Sequence, residues 1–202
     1  MVRRMTFRPG HDSPDAPWHG RESNRYLVAL GSNLGDRMAQ LRGAIDAVNK
    51  ELGPVITVAP FFETAPIGAA DQPFINTAIV VHSDIPPDDA LDILLGIERT
   101  LGRVRQVRWG NRTVDLDILL WQARDDQGRW QARARSTPTL TIPHPEMLRR
   151  AFVMVPAAAI AGDWCLPGSE VSLAVRCEHS AFYLAPLPAA VTAASCFEAS
   201  CE

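Results

Sequence analysis

Lysine is almost missing from this chain: nineteen of its twenty basic residues are arginine, and Lys50 is the exception. Glu51 follows Lys50, so no G-x-x-x-x-G-K-[S/T] can be written, and a P-loop nucleotide site is excluded. Cysteine is lacking until Cys165; the four cysteines, Cys165, Cys177, Cys196 and Cys201, form no C-x-x-C pair and have no histidine at zinc-finger spacing. A structural zinc site is therefore unsupported, and the thiols read as reduced. No apolar run reaches the length of a membrane span, and no apolar segment follows Arg3 and Arg4 as a signal peptide requires. The expectation is a cytoplasmic protein. A net charge of −3 argues against a general polyanion binder.

What is there is ordinary globular material. With 202 residues, 47% apolar and 21% charged, the chain suits one domain with a buried core. Residues 1–24 hold three prolines and no periodicity, and are expected to be a disordered leader. One domain is expected over 25–180, with a loose tail over 181–202. "YLVAL" reads as a strand, and "GSNLGDR" as a tight turn into a helix whose apolar positions are Met38, Leu41, Ile45, Val48 and Leu52. "VITVAPFF" and "FINTAIVVH" read as strands around the Pro/Gly-rich loop 63–73. Asp88 is placed to cap a second helix with Leu91, Leu94, Leu95 and Leu101 on its apolar face. Beyond a further strand, residues 122–138 read as a polar, irregular insertion, "LTIPHP" as a brief strand and turn, and 146–160 as short helices broken at Pro156. The order β-α-β-β-α-β predicts an α+β fold: a ferredoxin-like split βαβ antiparallel sheet with helices packed on both faces.

The chemistry concentrates in "RWGNRTVDLDILLW". With a strand period of two, Val114, Leu116, Ile118 and Leu120 take one face, and Asp115, Asp117 and Leu119 the other. Same-face neighbours stand roughly 7 Å apart along a strand, so the two carboxylates can converge, and on a half-buried face their repulsion asks for compensation. A divalent cation shared with substrate phosphates supplies it; a solvated edge strand is the plainer alternative. From Arg99 to Arg112 there are five arginines and no acid. Guanidinium forks match phosphate oxygens, and arginine beside a carboxylate-held cation is equipment for phosphoryl transfer. "GSNLG" lacks G-x-G-x-x-G spacing and reads as a turn, not a phosphate loop. Asn76 sits early in an apolar strand, where its amide needs partners, either structural or on a polar heterocycle. His144 lies in a rigid Pro-His-Pro turn shortly after the aspartate strand.

Together "YLVALGSNLGDR", "FFETAPIG…DQPFIN", "IERTLGRVR", "RWGNRTVDLDILLW" and "LTIPHPEMLRRAF" resemble, in order and from about Tyr26 to Ala158, the 6-hydroxymethyl-7,8-dihydropterin pyrophosphokinase family. The resemblance implies transfer of pyrophosphate from ATP to the pterin hydroxymethyl group, as a step of folate biosynthesis, in a magnesium-dependent monomer acting on small molecules with no nucleic acid or membrane partner. It implies that Asp115 and Asp117 hold two magnesium ions, and that Arg103, Arg105 and Asp117 are the catalytic residues. ATP contacts are implied at Glu98, Trp109, Arg112, Ile118, His144 and Arg150. Pterin contacts are implied at Thr64, Ala65, Ile67, Phe74, Asn76 and Phe152, with the two phenylalanines sandwiching the ring. Two other readings stand beside it. A palm-like nucleotidyltransferase would need a further acid on the first strand, which "YLVALGSN" does not supply. A catalytically weak paralogue that binds pterin or nucleotide as a regulator is opposed by the intact D-x-D and favoured by the altered arginine loop and the extended tails.

Overall fold

The computed structural model describes residues 23–66, 72–103, 111–180 and 184–188. Ile67, Arg105 and Trp109, and the leader up to residue 22, lie outside them. β1 (Asn24–Ser32) is the centre of a six-stranded antiparallel sheet, flanked by β4 (Phe74–Ser83) and β5 (Asp115–Arg124). β2 (Val55–Val58) and β3 (Phe62–Thr64) share the far edge of β4, and β6 (Trp130–Arg133) closes the other side. "VITVAPFF" is therefore two strands and not one. Between them Ala59 is held to β4, its N–H on the Ala78 carbonyl at 2.8 Å and its carbonyl accepting from Thr77 Oγ1 at 2.9 Å.

Helices cover both faces, as expected. Against one face pack α1 (Arg37–Glu51) and α2 (Pro87–Thr100), burying Leu41, Val48, Leu94 and Ile97 on Tyr26, Val28, Leu30, Leu116 and Ile118. The other face receives α3 (Ala151–Ala161), whose Val153, Met154 and Ala157 meet Leu27, Ala78, Val80, Leu119 and Leu120. α4 (Leu173–His179) packs outside α3. Asp36 caps α1, accepting from the Ala39 N–H at 3.0 Å. The helix ends at Gly53, where φ is +145° and a Cβ would stand 2.2 Å from the His82 carbonyl oxygen, so only glycine fits. α2 begins at Pro87, which needs no N–H there; Asp88 lies in its first turn beside the positive end of the helix and is not its cap.

Three further expectations need correcting. α3 continues through Pro156 without a break: the helix is short, and its buried face on the sheet outweighs one lost backbone bond. The segment 122–138 is no irregular insertion, because β5 runs on to Arg124, turns at Asp125 and Gly128, and pairs back as β6. Asp125 Oδ1 accepts from the N–H groups of Gln127 (3.0 Å) and Arg129 (2.9 Å), which makes the turn. β7 (Arg135–Ser136) and β8 (Thr141–Ile142) then form a small separate ribbon. The tail is not wholly loose either: Pro186 bridges to Phe62, and the Leu187 N–H reaches the Phe61 carbonyl at 2.7 Å.

At the sheet's end away from the aspartates, Arg25 lies 4.0 Å over the Trp130 ring, with its Nε 2.7 Å from His82 Nε2. Burial, then Arg25 and Arg124, lower the His82 pKa to about 4. As pH falls from about 6.5 towards 4, the unfolded chain takes up a proton that the folded one refuses, so folded stability declines across that window. Melting temperatures followed from pH 7 to pH 4 should fall less steeply in His82→Gln than in the unsubstituted protein.

Candidate active site

One register irregularity aims the chemistry. Opposite Leu27 and Val28 of β1 stand Leu120 and Ile118, so Leu119 is an extra residue, a β-bulge. Up to Ile118 the alternation read from the sequence holds, with Leu116 and Ile118 under α1 and α2. Past the bulge the faces switch, and Leu120 joins the α3 side instead. The Leu119 carbonyl accepts the His144 N–H at 2.9 Å, which docks the Pro-His-Pro turn beside the aspartates. His144 Nδ1 then accepts from the Glu146 N–H at 3.2 Å, so the neutral ring carries its proton on Nε2.

Asp115 and Asp117 project from β5 into a cavity of about 410 Å³ on the α3 side of the sheet. Arg112 and Arg150 share this cavity, as do Gly31 of β1, Thr64 and Ala65 after β3, Phe74 and Asn76 of β4, and Phe152 of α3. Sequence-expected residues from both halves of the site thus line one concave space. Phe74 comes from the sheet and Phe152 from the helix above it, with the Arg150 guanidinium 5.9 Å from the Phe152 ring centre. Asn76 is 5% exposed and donates from Nδ2 to Thr64 Oγ1 at 2.8 Å. A Cβ on Gly31 would come within 3.0 Å of Asn76 Oδ1, so the glycine keeps the floor open beneath the amide.

The charged side is closely paired. Asp115 is held by Arg112 on one oxygen and by Arg103 Nη1 on the other at 2.6 Å. Arg103 also bonds Glu98, which is 2% exposed and accepts the Leu116 N–H at 2.8 Å. Glu98 does not line the cavity; it lies behind β5, orienting Arg103 and the strand itself, and burial raises its pKa. Ile118 likewise sits in the core under the helices, 3% exposed. Burial, and next the charge of Asp115, raise the Asp117 pKa, with His144, Arg103 and Arg112 opposing.

Two residues of consequence escaped the sequence reading, Gly31 and Asn33, both inside what looked like a plain turn. A glycine within a strand was the available signal for the first; nothing local marked the second. Among the described residues no cluster of three or more His, Cys, Asp or Glu could cage a metal ion. Two acids facing the open cavity instead suit a hard cation that takes its remaining ligands from substrate and water, and Asp117, its charge disfavoured by burial and by Asp115, is the oxygen donor such an ion would relieve.

In class, the fold and cleft are those of an α+β phosphotransferase, with two acids, two guanidiniums and two phenylalanines lining one cavity. Comparison with known proteins narrows this. The model of the 7,8-dihydro-6-hydroxymethylpterin-pyrophosphokinase (HPPK) family matches residues 27–162, and the chain belongs to that family. Over 145 residues it is 41% identical to the 2-amino-4-hydroxy-6-hydroxymethyldihydropteridine pyrophosphokinase of Pseudomonas aeruginosa, covering 71% of this chain and 84% of that one. The enzyme of the same name from Bacillus subtilis is 39% identical over 140 residues, 68% of this chain and 78% of its own. Among solved structures, Plasmodium falciparum HPPK-DHPS with pteroate is similar at a TM-score of 0.60 and 14% identity, over 81% of this chain and 43% of that one. That likeness speaks for the fold alone, and this chain spans less than half of the longer polypeptide.

Proposed function

We propose that this protein transfers the β,γ-pyrophosphoryl group of ATP to the hydroxymethyl oxygen of 6-hydroxymethyl-7,8-dihydropterin, giving AMP and the pterin diphosphate for folate synthesis. The observation that carries the reading is a single cavity shared by Asp115 and Asp117 on one side and Asn76, Phe74 and Phe152 on the other. The pterin hydroxyl oxygen attacks the β-phosphorus, the bond from that phosphorus to the α,β-bridging oxygen breaks, and AMP leaves with the electron pair while the hydroxyl proton passes to solvent.

Each residue has a part in this. Phe74 and Phe152 stack the pterin ring, and Asn76, with the backbone around Thr64, Ala65 and Ile67, reads its donor–acceptor edge. Arg112, Arg150 and the Nε2–H of His144 take phosphate oxygens, and Arg103, held by Glu98, stands beside them. Arg105 and Trp109 close over the nucleotide from the arginine segment and keep out water, which would compete as nucleophile. Ile118 supports the strand end that meets the nucleotide. Asp115 and Asp117 would hold magnesium, two ions on this reading, whose charge would neutralise the phosphates and lower the proton affinity of the acceptor hydroxyl. The protein works as a cytoplasmic monomer on small-molecule substrates; no helix among the described residues is long and apolar enough to cross a membrane. Retention of both acids and of the paired arginines speaks for turnover over a regulator that only binds.

Purified protein given ATP, magnesium and the pterin should release AMP in step with pterin diphosphate, and only when all three are present. ADP or free pyrophosphate as the co-product would overturn this assignment.

A further inference from the structure

Asn33 follows β1 immediately and is 2% exposed. Its amide is fully employed, and on two different segments. Oδ1 accepts the Arg112 N–H at 2.6 Å, while Nδ2 donates to the Gln72 carbonyl at 3.3 Å and to Asn111 Oδ1 at 2.8 Å. Its own backbone N–H donates to the Arg112 carbonyl at 3.1 Å. The backbone partners fix which way the amide points, since a peptide N–H can only donate and a carbonyl can only accept. Arg112 leads directly into the Asp115 strand and bonds Asp115 itself. Gln72 is the residue before Pro73 and Phe74, where the chain enters β4 and the cavity-lining Phe74. Arg37 holds the same entry from outside, Nη1 lying 2.9 Å from the Pro73 carbonyl and 2.8 Å from Glu63 Oε1.

We propose that Asn33 is a positioning residue for pyrophosphoryl transfer, setting the phosphate-side Arg112 and the pterin-side loop return from one buried amide. Neither substrate need touch it. Its acceptor half serves the nucleotide side, and its donor half holds the pterin-side Gln72 carbonyl together with Asn111 beside Arg112; the Asn111 amide can turn its NH2 to an acceptor whereas the Gln72 carbonyl cannot, so the two sides are separable by chemistry. The proposal rests on the reading of the cleft given above.

Asn33→Asp separates them. The carboxylate still accepts from the Arg112 N–H, and a turned Asn111 amide can donate to it, but it sets two acceptors against each other at the Gln72 carbonyl, which cannot turn. Calorimetry with the dihydropterin substrate, and separately with a non-hydrolysable ATP analogue and magnesium, should show pterin affinity weakened about tenfold, with nucleotide affinity within about threefold of the unsubstituted protein. Asn33→Ala, lacking both halves, should weaken both. A residue that only supports the fold would weaken both ligands in parallel in Asn33→Asp, in step with melting temperature; that result overturns the role, as does unchanged binding. If Asn33→Ala fails to fold, the near-isosteric Asp variant still decides. Unsubstituted protein binding neither ligand would bring down the reading of the cleft and this role with it, whereas normal binding without the split removes the role alone.

Discussion

Asp117→Asn should lower kcat by at least about a thousandfold, the scale on which removing a charged group that acts at a phosphoryl-transfer centre is felt. Asparagine keeps the shape of the side chain and one acceptor oxygen but loses the charge, so it holds a divalent cation against a polyphosphate far less tightly. The fold should not suffer. Burial and the neighbouring Asp115 both disfavour a charge at this position, so the neutral amide should leave the melting temperature equal or higher. Steady-state turnover beside a thermal melt checks both halves. Activity within tenfold of the unsubstituted enzyme would mean that β5 does not hold the cation.

Asn76→Ala should raise the KM for the pterin about a hundredfold and leave the KM for ATP nearly unchanged. Its amide is almost fully buried, tied to Thr64 and set over the open floor at Gly31, on the β4 side of the cavity across β1 from Asp115. A site built to hydrogen-bond a polar heterocycle loses far more on losing that group than an apolar pocket loses with one methylene. The nucleotide end is held by β5 and the residues around it, which this substitution does not touch. Initial rates with each substrate varied in turn read the split. Equal changes in both KM values would place Asn76 in the framework of the sheet and not in recognition.

Much of this site was readable from the chain because its parts sit on regular elements. Period-two alternation placed Asp115 and Asp117 together, and off the core face, since a strand sends side chains to its two sides whatever it pairs with. Asn76 stood out as an amide in an apolar strand and Phe74 came from the family resemblance alone; both line the cavity. Where a residue's position depends on a partner strand, the reading stopped. The bulge at Leu119 arises from the pairing of β5 with β1, and with it came both the switch of Leu120 to the α3 side and the free carbonyl that seats His144. Proline at position 156 broke a helix on paper because local propensity was all there was to weigh; against the sheet, burial of Val153, Met154 and Ala157 prevailed. The polar look of 122–138 hid a hairpin whose Trp130 is covered by arginines from two neighbouring strands, Arg25 and Arg124.

The amino-acid sequence alone determined which residues could do chemistry here and on which face of which element they would stand, because periodicity and turn chemistry are local and need no partner. Tertiary structure decided how those elements meet. It set Glu98 behind the aspartate strand and not in the cavity, tied Arg103 and Arg112 to one carboxylate, and made Asn33 the joint between two segments far apart in the chain. Hydrogen bonds between distant segments have no signature in either segment read separately, so only the folded chain could disclose them.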